Sequence, residues 1–71
     1  MSTKYRDKII ESHGLNVGEY VGCALDRIGG DISENEIVSA IEYYHQNEQA
    51  LKEEAINERR ETIKNYILSQ R

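Results

Sequence analysis

The sequence predicts an all-α protein, and three observations carry that prediction. The chain has no proline, and its five glycines all lie between positions 14 and 30, so most of it is free of the strongest helix breakers. Apolar residues recur at three- and four-residue intervals, the spacing of one helix face. From Ser33 to Arg71 there is neither glycine nor proline, and the helical spacing continues almost throughout. The expected architecture is two short helices packed on the first half of a long third helix, with two copies pairing as a helical dimer.

The first helix is predicted over residues 3–12. Tyr5, Ile9 and Ile10 lie on one side, and Lys4, Arg6, Asp7, Lys8 and Glu11 lie elsewhere. Gly14 sits where a helix commonly ends on a glycine. Asn16 precedes Glu19 at capping-box spacing and is expected to start the second helix. Over residues 17–28, Val17, Tyr20, Val21, Ala24, Leu25 and Ile28 form a regular apolar stripe. Gly18 and Gly22, four apart on another face, either admit a second helix at close range or merely weaken this one. Gly29-Gly30 then stop it.

The third helix opens with a capping box, Ser33 to Glu36, and Ile32 is placed to staple onto Ile37. Ile37, Val38, Ala40, Ile41, Tyr44, Leu51 and Ala55 form its apolar side. Asn57 to Thr62 are all polar, so core packing is expected to lapse there. Ala55, Ile56, Ile63, Tyr66 and Ile67 make a second apolar patch. A continuous helix of ~38 residues spans ~57 Å, whereas a compact chain of this size has a radius of gyration of only ~11 Å. The predicted organisation is therefore a helical body over residues 1–51 and a helical extension over residues 52–71. The extension would present its patch to a protein partner or a second copy. A fold-back is disfavoured in this reading, because neither glycine nor proline marks a break.

Seventy-one residues make one domain with a small core, which favours association as a stabiliser. Cys23 is the only cysteine, so no intrachain disulfide can form. No apolar run approaches the ~18 residues of a membrane span, and MSTKYRDKII has no apolar stretch of signal-peptide length. A cytoplasmic protein with no membrane partner is expected. The net charge of −4 is unevenly placed. Residues 1–30 balance at zero, and residues 51–71 carry +1. Residues 31–50 hold Asp31, Glu34, Glu36, Glu42 and Glu48 with no Lys or Arg. An acidic face built on Glu34, Glu42 and Glu48 repels phosphate and suits a basic protein surface.

Other constellations are incomplete. Glu42 and His45 share one helix face at the spacing used in di-iron bundles, but such sites need further Glu residues from facing helices. Asp26 to Glu36 fails as a calcium loop, because Leu25 and Arg27 would occupy its first and third positions. The same corner could form a DNA-reading helix-turn-helix around Ala24 and Gly29, yet its reading helix has no Lys or Arg before Lys52. Cys23 and His13 make no nucleophile–base pair. No catalytic residue, metal or cofactor is expected.

The segment Asp31 to Asn47 resembles the last helix of a widespread family of small bacterial VapB-like antitoxins of uncharacterised domain type. The resemblance rests on Ile37, Ala40, Ile41, Tyr43, Tyr44 and Asn47 after an acidic helix start. The family's upstream Gly-Thr-Arg segment has no counterpart in this chain. The resemblance implies a small cytoplasmic regulator whose C-terminal part neutralises a toxin. The functional expectation is a protein-binding regulator, antitoxin-like or a phage- or plasmid-type inhibitor. A dimeric DNA-binding repressor is the second reading and a metal-binding bundle the third.

Overall fold

The computed structural model describes residues 3–71, and every element in it is helical. Helix α1 is Lys4–His13. Helix α2 covers residues 15–28 without a break, with a wide π turn over Gly18–Gly22. Helix α3 is Glu34–Gln46, α4 is Glu48–Lys52 and α5 is Ile56–Gln70. One apolar cluster joins all five, from Tyr5 and Ile9 through Val21, Leu25, Ile41 and Leu51 to Ile63 and Ile67.

The local signals in the first half act largely as expected. Gly14, Gly29 and Gly30 take positive φ, at 99°, 75° and 71°, and end α1 and α2. The Ser33 hydroxyl accepts from the Glu36 N–H at 3.2 Å, and the Ser33 N–H donates to the Glu36 carboxylate at 3.0 Å. That capping box satisfies two otherwise orphaned donors. Ile32 and Ile37 on either side of it are both buried. Asn16 does not cap: α2 already begins at Leu15, with Gly14 before it.

Gly18 and Gly22 resolve in favour of close approach. A Cβ on Gly22 would lie 2.4 Å from the Arg6 Cα, so α1 crosses directly over the glycine face of α2. The N-terminus of α1 is capped by α2 and not by its own sequence. Asp26 accepts the Tyr5 N–H at 2.9 Å and the Arg6 N–H at 3.1 Å, while Thr3 makes no side-chain cap. The buried Tyr5 hydroxyl in turn accepts the Ile32 N–H at 2.9 Å, tying α1 to the turn before α3. Asp26→Ala should cost about 1–2 kcal/mol, the scale of a lost N-cap. Urea unfolding checks this, and an unchanged midpoint would contradict it.

The long projecting helix is not formed. The radius of gyration is 10.7 Å and the largest dimension 28 Å. The backbone leaves helical angles at Asn47, at φ −115° and ψ 21°, but the bonds from Asn47 to Tyr43 and from Leu51 to Asn47 still continue. The helix ends at Lys52, and the chain turns back at Ala55, which is extended at φ −62°, ψ 156°. Helix α5 then packs on α2 and α3. Ile63 and Ile67 are fully buried in the common core. The division into a body over 1–51 and an extension over 52–71 therefore does not describe the packing.

The bend needs neither glycine nor proline because Ala55 keeps an ordinary φ. An arginine from the next helix supplies the missing cap. The Arg59 guanidinium donates to the carbonyls of Leu51 at 2.6 Å, Lys52 at 3.2 Å and Glu54 at 3.2 Å. It also lies over the Tyr20 ring, 4.3 Å from its centroid. Thr62 donates to Glu54 at 2.8 Å across the same bend. Burying one isoleucine contributes about 1.5–3 kcal/mol. A helical hydrogen bond exchanged for water loses only about 0.5–1.5 kcal/mol net. With several broken bonds recapped by Arg59, burial of Ile63 and Ile67 outweighs continuity.

Candidate functional site

The sequence places two candidate surfaces on the molecule, and the fold treats them oppositely. In α3, Ile37, Ala40, Ile41 and Tyr44 point inward and are buried. A neighbouring strip along its flank carries Glu34, Val38, Glu42 and His45, all exposed. Val38 is 51% exposed, so it leaves the apolar side on which the sequence reading placed it. The inward four follow i, i+3, i+4, i+7, and Val38 lies one residue out of that pattern, which is the signal that could have found it. The strip is an acidic ridge with an apolar centre on a capped, well-packed helix.

The ridge is electrostatically framed. Lys8 of α1 reaches Glu34 at 2.9 Å, and both groups are exposed. Glu48 lies further along, on α4, and pairs with Lys52 at 3.7 Å. Glu36, beside the ridge, accepts from Arg71 at 2.7 Å. The Arg71 guanidinium first, and the Ser33 N–H second, lower its carboxyl from an ordinary 4.5 to about 2. Glu61 is also lowered, by Lys64 and then Arg27. A carboxyl lowered on folding stabilises above its ordinary value, and that contribution is lost as pH falls through the folded value. Thermal melts between about pH 5 and pH 2 should therefore fall less steeply for Glu36→Gln than for the unaltered chain. Equal slopes would contradict the coupling.

The predicted tail patch is divided by the bend. Ile63 and Ile67 are core residues and present no surface. Tyr66 is half-buried and stacks on Tyr43, with centroids 4.0 Å apart and planes at 19°. Only Ala55 and Ile56 face solvent, Ile56 being 53% exposed. The five residues do not form one exposed partner-binding patch in this conformation. The polar run does not mark lapsed packing either. Arg60 donates to the Glu19 carbonyl at 2.9 Å and its carboxylate at 3.2 Å. Arg27 of α2 donates to Asn57 at 2.9 Å and Glu61 at 3.2 Å. These contacts latch α5 to α2.

An open cleft of about 700 Å³ lies beside this latch, with Cys23, Asp26 and four cations on its walls. Glu19 sits between Arg6 at 3.9 Å and Arg60 at 3.2 Å. Glu61 sits between Arg27 and Lys64, each at 3.2 Å. The chain's own carboxylates thus occupy these cations, and the Asp26 oxygens are occupied by α1. Burial pushes the Cys23 thiol up, which keeps it a protonated thiol and a poor nucleophile. The cleft reads as an ion-pair seam. Glu42 and His45 both lie on the open α3 strip, and no cluster of three or more metal-ligating side chains occurs among the described residues. Among the same residues, no helix is long and apolar enough to cross a membrane.

Comparison with protein-family models, curated proteins and solved structures finds no match to this chain.

Proposed function

We propose that this protein is a small protein-binding regulator, antitoxin-like or an inhibitor of phage or plasmid type, that meets a basic partner surface through the outer ridge of α3. The observation that carries this reading is the half-exposed Val38 set between Glu34 and Glu42. Protein interfaces favour an apolar centre with a charged rim, and a carboxylate rim steers toward a cationic partner. The role assigned to the tail patch moves to α3, because two of its anchors lie in the core.

DNA recognition is the weaker reading. The helix after the glycine turn would enter the groove, and its exposed strip carries Glu34 and Glu42 with no Lys or Arg. Carboxylates oppose the phosphate contacts that dominate such binding.

Capture from the source cell, followed by mass spectrometry, tests the proposal. The unaltered chain should retain a basic protein that a Val38→Asp, Glu42→Lys variant releases. Both changes are at exposed positions and should leave the thermal midpoint nearly unchanged. Retention of the same proteins by both forms, or retention of nucleic acid alone, would reject the α3 ridge as the binding face.

A further inference from the structure

We propose that this chain forms a homodimer by exchanging α5, with the bend at Ala55 straightening and each α5 seating against α2 and α3 of a second copy. The bend contains no residue that opposes a continuous helix. Glu53, Glu54 and Ala55 are all residues that helices accept readily. Glu53 is already helical, at φ −80°, ψ −15°. The N–H groups of Glu53 and Glu54 still bond backwards, to Ala50 and Leu51. Ala55 has a helical φ of −62° and departs only in its ψ of 156°. Bringing Glu54 and Ala55 together to helical backbone angles restores the backbone bonds that the first turn of α5 lacks.

The contacts that hold α5 down are of two kinds. The first depend on the bend itself: Arg59 to the Leu51, Lys52 and Glu54 carbonyls, and Thr62 to Glu54. The second depend only on α5 meeting the body. These include the burial of Ile63 and Ile67, the Tyr43–Tyr66 stack, and the links of Arg60 to Glu19 and Glu61 to Arg27. Reciprocal exchange sacrifices the first kind and remakes the second between copies, as two-fold symmetry requires. A straight helix from Glu48 to Gln70 has 23 residues and spans ~34 Å. The α5 part, residues 56–70, then leads away from its own body and offers ~22 Å of helix to a second copy.

Proline at Ile56 separates the two states. In the bent form Ile56 is the first residue of α5, where proline is well tolerated. Ala55 before it already has the extended backbone that proline requires. In a straight helix the same proline removes a bond and clashes with the carbonyl of Lys52. Ile56→Ala removes the exposed side chain yet permits the straight helix.

The experiment is unfolding in urea, refolding at micromolar and at millimolar chain, and size-exclusion chromatography with light scattering. The unaltered chain and Ile56→Ala should yield dimer at millimolar concentration, while Ile56→Pro stays monomeric with native circular dichroism. Arg59→Ala loses the clamp of the bent form and should tighten dimerisation by about tenfold. It tests the hinge independently of the proline variant. Dimer formation by Ile56→Pro would mean a face-to-face dimer and overturn the exchange. A chain monomeric at every concentration would also overturn it, as would joint loss of dimer in Ile56→Ala and Ile56→Pro.

Discussion

Aspartate at both Ile63 and Ile67 leaves the chain unfolded. Both side chains are fully buried in the cluster that also holds Leu25 and Leu51. Truncating one buried isoleucine to alanine costs about 2–5 kcal/mol. Aspartate adds the desolvation of a carboxyl with no planned partner, so the cost per site is larger. A core of this size supplies no more than about 3–5 kcal/mol of net stability, and the double variant exceeds it. Far-UV circular dichroism and amide dispersion in a proton spectrum check the outcome. Ile63→Val, which removes one methylene, should lose only about 0.5–1.5 kcal/mol in urea and remain folded. A double-aspartate chain with native helicity would show that α5 is detachable, as a free binding tail would be. Loss of partner capture in that variant would therefore report unfolding and not an interface.

Gly22→Ala destabilises the protein even though alanine is the better helix former. Helix propensity alone predicts a gain of about 1 kcal/mol. The new Cβ would stand 2.4 Å from the Arg6 Cα, 2.9 Å from the Arg6 nitrogen and 3.1 Å from the Tyr5 carbonyl oxygen. These are backbone atoms, and no side-chain rotation relieves them. Helix α1 must lift, which strains the Asp26 cap and the Tyr5 to Ile32 hydrogen bond together. Overpacking of this kind costs about 1–3 kcal/mol, and each kcal/mol lowers Tm by roughly 4–8 °C in a domain this small. A scanning-calorimetry comparison measures the shift. An increase in Tm would mean that propensity wins and that the two helices are not held at this distance.

Much of the first half is legible because its determinants are local. Gly14 and the Gly29-Gly30 pair act where they stand, by taking a positive φ. Ser33 and Glu36 are three residues apart and make their box within one turn. The stripe from Val17 to Leu25 is buried as its spacing demands, with Tyr20 and Ile28 packed at its margin. The α3 ridge was half legible. Its carboxylates are evident as charge, but Val38 reads as core until the inward face is narrowed to Ile37, Ala40, Ile41 and Tyr44.

The amino-acid order alone establishes an all-α chain, the glycine stops of its first two helices, the capping box of its third, and the acidic charge of that third helix. Those properties follow from backbone preferences and from contacts within a turn or two. The bend at Ala55 belongs to the folded molecule, because no residue there resists a helix. Its stabilising groups are Arg59, which reaches back eight residues to Leu51, and the isoleucines Ile63 and Ile67, which gain their burial only against α2 and α3. The Asp26 cap on α1 and the glycine crossing of α1 over α2 are likewise invisible until distant segments meet. A uniform helical pattern fixes helicity but not direction, and here the free energy of burying one more apolar face turns the chain back.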